Sequence, residues 1–204
     1  MTPSSHKTVY RILTAIALAH LCNDLLQSVV PAMYPLLQQR YQLSMTQIGI
    51  ITFCFQVSAS IFQPLVGSYT DRHPRPYSQV FGMLFTALGI FLLAKAPTYG
   101  WVLVSVSLIG IGSSIFHPES SRVAYAAAGG KRSLAQAIFQ IGGNTGSALA
   151  PLLIAWIVIP NDQQYLLWFL TVALTAQLIL LYVGRWYKEA LEESRRSPKK
   201  LMPL

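Results

Sequence analysis

Charge is scarce in this sequence. Asp, Glu, Lys and Arg together make up 11% of its 204 residues, where a soluble domain carries about a quarter. Acid is scarcer still: seven Asp and Glu against fifteen Lys and Arg leave a formal net charge of +8. No low-complexity tract accounts for the deficit, which argues against a disordered chain. The basic residues fall between long apolar runs and not on a folded face, so nucleic acid is not an expected partner. Cysteine is nearly absent. Cys22 and Cys54 both lie inside apolar runs, so no disulfide framework and no metal-ligand spacing is present. No metal and no cofactor is expected.

What the sequence has in excess is apolar length. A membrane span needs about 20 mostly apolar residues. Six stretches meet this: 12–37, 46–69, 77–96, 101–121, 134–159 and 165–185. The breaks between them carry turn or charge signals, among them Asp71 to Pro76, Pro97-Thr98-Tyr99-Gly100 and Pro160-Asn161-Asp162. Ala17-Leu18-Ala19 imitates a signal-peptidase site, but the apolar run around it is too long for a signal core, so it reads as an uncleaved first span. The expected fold is all-α, a bundle of six transmembrane helices over 12–187. Residues 1–11 form a cytoplasmic N-terminus and 188–204 a basic cytoplasmic tail or connector. Of the fifteen Lys and Arg, all but Arg40 and Lys95 then fall on one side. The positive-inside rule makes that side the cytoplasm.

Polar residues inside spans are costly and face protein or water. In the first span His20, Asp24 and Gln27 share a helical face, with Asn23 adjoining. In the second, Gln56, Ser60, Gln63 and Gly67 do. The fourth carries Gly110, Ser114, His117 and Ser121 on one stripe. The fifth carries Gln136, Gln140, Gly143 and Ser147, with Asn144 beside them. The third and sixth spans have no such stripe. The pattern lines a polar path with spans one, two, four and five and leaves three and six toward lipid. Packing by small and polar side chains is the competing account of any single residue.

Asp24 is the most informative position. It lies about 18 Å along its helix from Ile12, near the middle of the bilayer. A carboxyl there is either a proton-coupling group, with His20 beside it, or a structural hydrogen-bonding residue. His117 is either a proton relay or a buried hydrogen-bonding group. Pro118 is expected to bend or interrupt the fourth span near its end. Glu119 and Arg122, at i and i+3, form an ion pair near the inner surface. Enzyme chemistry finds no support: Gly110-Ile-Gly112 lacks the rest of a dinucleotide fingerprint, and no serine has a convincing base.

Between the second and third spans stands Gly67-Ser-Tyr-Thr-Asp71-Arg72-His-Pro74-Arg75. It resembles the cytoplasmic signature of the major facilitator superfamily: Gly, three residues, Asp-Arg, one residue, Gly, Arg. Gly67, Asp71, Arg72 and Arg75 match, and Pro74 replaces the second Gly. The resemblance implies a charge latch in which Asp71 and the basic residues pair and separate as the protein rocks. The stretches around His20-Leu-Cys-Asn23-Asp24, His117-Pro-Glu119 and Gln140-Ile-Gly-Gly-Asn144 resemble a drug-resistance branch of the same superfamily over essentially the whole chain. Two departures stand out. Val106 occupies the place where antiporters of the family often carry an Arg, and Ala150-Pro151 stands in for Gly-Pro in the fifth span.

The resemblance implies a proton-driven antiporter of the bacterial inner membrane that exports a drug or small polar metabolite. A metabolite importer of the same fold and a non-transporting membrane scaffold are the alternatives. Pro64-Leu65 and Pro151-Leu152 hint at a three-plus-three inverted repeat. Six helices line one wall only, so the reading expects a partner besides substrate, protons and lipid. The chain is then expected to be a truncated product lacking its second transporter half, one of two separately encoded halves, or a protein that pairs with a second copy of itself.

Overall fold

Apolar runs punctuated by proline, glycine and charge become helices joined by short turns. A computed structural model describes residues 8–196. Lys7, Lys199, Lys200 and the side chain of Arg195 lie outside the described residues. Seven α-helices follow in order: α1 (Tyr10–Ala32), α2 (Tyr34–Tyr41), α3 (Met45–Arg72), α4 (Ser78–Lys95), α5 (Tyr99–Ala127), α6 (Arg132–Leu153) and α7 (Phe169–Arg196). A π-helical turn, Ile154–Val158, extends α6, and a 3₁₀ turn, Gln163–Trp168, leads into α7. Six segments are long and apolar enough to cross a membrane, and the short α2 is not among them. No strand occurs among the described residues.

Local chemistry sets the boundaries. Ser44 caps α3: its Oγ accepts the Gln47 N–H at 3.3 Å, and Gln47 Oε1 accepts the Ser44 N–H at 2.9 Å. After α5 the chain turns through Gly129 and Gly130 at φ +56° and +89°, a conformation glycine adopts without strain.

Three expectations are corrected. The first span does not run unbroken over 12–37. It stops at Ala32 and restarts as α2 at Tyr34, because Pro31 and Pro35 each remove a backbone donor within five residues of chain. Pro118 does not interrupt the fourth span, since α5 continues past it to Ala127. The last helix does not end with its apolar run but extends to Arg196 through Lys188, Glu189, Glu192 and Glu193. Those residues are good helix formers once a helix is nucleated.

α1 is the most enclosed span and α3 the most open, with 61% and 17% of their apolar segments buried. α1 packs chiefly on α6, while α5 receives α3 on one flank and α4 on another; α7 bridges α1 and α4. The α1–α6 contact is backbone-close. A methyl group added at Gly142 would collide with the Ala17 carbonyl, and one at Gly146 with the Leu21 carbonyl. Gly142, Gly146 and Ala150 thus form a small-residue stripe of the kind that lets membrane helices approach. α4 exposes Phe81, Leu84, Leu88 and Phe91, and α7 exposes Leu174, Leu178 and Tyr182. Faces this apolar are suited to lipid chains. α3 and α6 instead expose mixed faces that include Gln56, Ser60, Gln140 and Asn144.

The two ends of the bundle differ in charge. One end gathers Arg11, Arg72, Arg75, Arg122, Lys131, Arg132 and Arg185. The other holds Arg40, paired to Asp162 at 2.6 Å, and Lys95. At that second end Tyr41 Oη donates to the Ala96 carbonyl at 2.6 Å, and Gln163 Nε2 donates to the Leu93 carbonyl at 2.5 Å.

Candidate functional site

Residues from α1, α5 and α6 converge on Asp24. His20 lies one turn earlier on α1, and its Nε2 is 3.1 Å from Asp24 Oδ2. Its other ring nitrogen, Nδ1, is 2.8 Å from the Phe139 carbonyl of α6. The Phe139 ring stacks on the imidazole with centroids 3.9 Å apart. Asn23 Nδ2 donates to Asp24 Oδ1 at 3.0 Å. His117 of α5 brings Nε2 to 3.7 Å from the same oxygen. Gln27 Nε2 lies 3.4 Å from that His117 nitrogen, and Gln27 Oε1 accepts from Ser113 Oγ at 2.8 Å.

The donor and acceptor rules fix where hydrogens go. A carbonyl oxygen only accepts, so His20 Nδ1 carries a hydrogen toward Phe139. His20 Nε2 then faces a carboxyl oxygen. An ionised carboxylate also only accepts, so the contact is satisfied only with a proton between the two atoms. The two side chains face each other in a site where His20 is 2% and Asp24 19% exposed, an arrangement able to share a proton. His117 Nε2 stands between the Gln27 amide nitrogen at 3.4 Å and the Asp24 carboxyl at 3.7 Å. Among the described residues the buried Asn23 Oδ1 atom has no hydrogen-bond partner.

Asp24 is thus not an isolated carboxylate. His20, Asp24 and His117 each present one ligand-type atom, all within 4.8 Å of one another. Spacing does not reveal this grouping, since His117 arrives from another helix. Beside it opens a cavity of about 240 Å³ lined by Asp24, Gln27, Ser28, Phe55, Gln56 and Ser147. Gln63, Gln140 and Asn144 stand on α3 and α6 outside this cavity. Phe139 and Ser113 carry no signal in the sequence: one contributes a backbone carbonyl and a ring, the other a hydroxyl beside a longer-range amide. Gly143 lies against the cluster. A methyl group there would come within 2.6 Å of His20 Nε2 and of Asp24 Oδ2.

A second polar group closes the basic end. Arg122 pairs with Glu119 on its own helix and with Asp71 at the end of α3. Its guanidinium also reaches the Gly67 carbonyl at 3.5 Å. Glu119 is fully buried, and among the described residues its Oε2 has no hydrogen-bond partner. The motif residues and the i, i+3 pair thus merge into one network. Arg72 and Arg75 are not in it. In this structure Asp71 pairs with Arg122 of α5.

A polar wall within an apolar six-helix bundle, beside a mid-span cavity, is an arrangement suited to a polar solute inside a membrane protein. The comparisons with known proteins agree. The chain belongs to the Major Facilitator Superfamily, whose family model matches residues 16–202. It is 49% identical over 193 residues to the Fosmidomycin resistance protein of Escherichia coli (strain K12), covering 95% of this chain and 48% of that one. It is 50% identical over 184 residues to the uncharacterized MFS-type transporter YfnC of Bacillus subtilis (strain 168), covering 90% and 45%. Among solved structures, a bacterial homolog of the human lysosomal transporter Spinster, in an inward-facing conformation, superposes with a TM-score of 0.70 at 16% identity. That match covers 88% of this chain and 44% of the other. The chain spans about half the length of the curated relatives it matches. It is an MFS transporter sequence, multi-pass in the membrane.

Proposed function

We propose that this chain forms the proton-coupling wall of an exporter in the bacterial inner membrane, acting on a drug or small polar metabolite. The observation that carries the reading is the His20–Asp24 contact beside the 240 Å³ cavity, a pair able to share a proton. Substrate and proton then compete for one conformational cycle: deprotonation leaves a charged, solvated wall, and reprotonation resets it. The 49% identity to a resistance protein favours export over import. The basic end is the cytoplasmic one by the positive-inside rule. A membrane potential of 100 mV contributes about 2.3 kcal/mol per charge moved, enough for a gradient of roughly 50-fold. The open, mixed faces of α3 and α6 need an opposite wall. A second transporter half supplies it, or a second copy of this chain does.

Transport in inverted vesicles tests the proposal. Addition of substrate, with fosmidomycin as the first probe, should dissipate an imposed proton gradient. Gradient-dependent accumulation by intact cells would instead support import. Absence of substrate-dependent flux in the chain alone and in its assembled forms would favour a scaffold.

A further inference from the structure

We infer that the chain binds an anionic phospholipid at its basic end, in the groove between α3 and α4. The groove holds about 480 Å³. Val66 and Tyr69 of α3, Phe81 of α4 and Ile115 of α5 wall it, and Arg75 and Tyr77 stand at its rim. Its origin is in the packing: α3 and α4 each lie on α5 and leave a furrow between them. The furrow continues the apolar surface of α4, where Phe81 is 62% and Leu84 51% exposed. In a bilayer such a furrow is filled by an acyl chain, which restores the dispersion contacts an empty slot forfeits.

Charge selects the headgroup. Arg72 ends α3 and Arg75 sits in the turn that follows, and both are exposed. Among the described residues neither forms a salt bridge, because the acid beside them, Asp71, is held by Arg122. Arg75 donates to the Tyr69 hydroxyl at 3.4 Å, which keeps its guanidinium at the lip of the groove. His73 stacks on the same Tyr69 ring, centroids 5.2 Å apart. Ser78 Oγ bonds the Arg75 carbonyl at 2.9 Å and fixes the turn. Tyr69 and Tyr77 are aromatic residues of the kind that mark the membrane–water boundary. Arg75 therefore brings a guanidinium without a salt-bridge partner among the described residues to the lip of an apolar furrow, with the exposed Arg72 three residues before it in the chain. Basic pockets between membrane helices of this sort take up anionic headgroups.

The test is native mass spectrometry of the purified, delipidated full chain after back-addition of long-chain phosphatidylglycerol or phosphatidylcholine. Each cation near the surface is worth about fivefold in binding. Phosphatidylglycerol should be retained over phosphatidylcholine, and Arg75→Gln should reduce its retention about fivefold. Arg11→Gln, at an exposed cation on the same end but away from the groove, should change retention little. Retention should also fall steeply for dihexanoyl phosphatidylglycerol, and glycerol 3-phosphate should not compete. Equal retention of both long-chain lipids overturns the inference. So does an Arg11→Gln loss as large as that of Arg75→Gln, which would mean diffuse surface charge. Effective competition by glycerol 3-phosphate overturns it too, since the groove would then contribute nothing.

Discussion

Asp71 is held by Arg122, an arginine 51 residues away on α5, and not by either arginine of its own motif. Arg122 is shared with Glu119, which is 0% exposed, whereas Asp71 is 68% exposed. One guanidinium thus joins a buried acid to a surface acid across two helices.

That asymmetry separates two substitutions. Asp71→Asn removes a mostly solvated partner and should cost at most about 1 kcal/mol of stability. Its effect should fall on the rate of conformational exchange and not on substrate binding. Arg122→Gln strands Glu119 and should cost about 3–5 kcal/mol. Thermal unfolding in mild detergent, paired with single-molecule exchange rates, checks both. Equal loss of binding and exchange in Asp71→Asn counts against a latch.

Asp24→Asn should abolish proton-coupled flux while leaving expression and membrane insertion intact. His20→Gln should do the same. If the two residues act as one proton-sharing unit, the double variant should lose no more flux than either single one. Proton-gradient dissipation in inverted vesicles is the measurement. Uphill transport retained by Asp24→Asn would make that residue structural and move the coupling group to Glu119 or His117.

Three glycines should rank by what surrounds them. Gly49 has nothing within 4 Å of an added methyl group, so Gly49→Ala should be neutral or stabilise by up to about 1 kcal/mol. Gly143→Ala crowds His20 and Asp24 and should cost about 1–3 kcal/mol with disproportionate loss of flux. Gly142→Ala meets backbone and should be the most destabilising. Unfolding midpoints and flux, measured together, test the order. Full flux in Gly143→Ala would remove His20 and Asp24 from the coupling step.

Topology is open to labelling. A cysteine at Arg72 should react with an impermeant maleimide only from the cytoplasmic face, and one at Lys95 only from the opposite face, in a background lacking Cys22 and Cys54. The reverse pattern would invert the proposed direction of transport.

The sequence makes the spans legible because hydropathy is a local property, summed along the chain. It does not show the break at Met33, since the prolines on either side of it sit within an otherwise apolar run. The run of α7 to Arg196 is hidden for the converse reason, as its last turns are held by helix propensity and not by apolar content. His20, Asp24 and Gln27 share a face by periodicity alone. Their closure into a site depends on His117, 90 residues from Gln27, and on the Phe139 carbonyl. A carbonyl is present at every residue and so leaves no trace in a sequence. For the same reason, Arg72 and Arg75 look like partners of Asp71 until α5 delivers Arg122.

The seam between α1 and α6 has a genetic consequence. The atoms that a methyl group on Gly142 or Gly146 would strike are the carbonyl oxygens of Ala17 and Leu21. Every amino acid supplies that oxygen at the same place. A defect at either glycine therefore has no suppressor at the residue it collides with, because no replacement there makes room. Revertants should restore the glycine itself or shift the whole helix by changes elsewhere along its length.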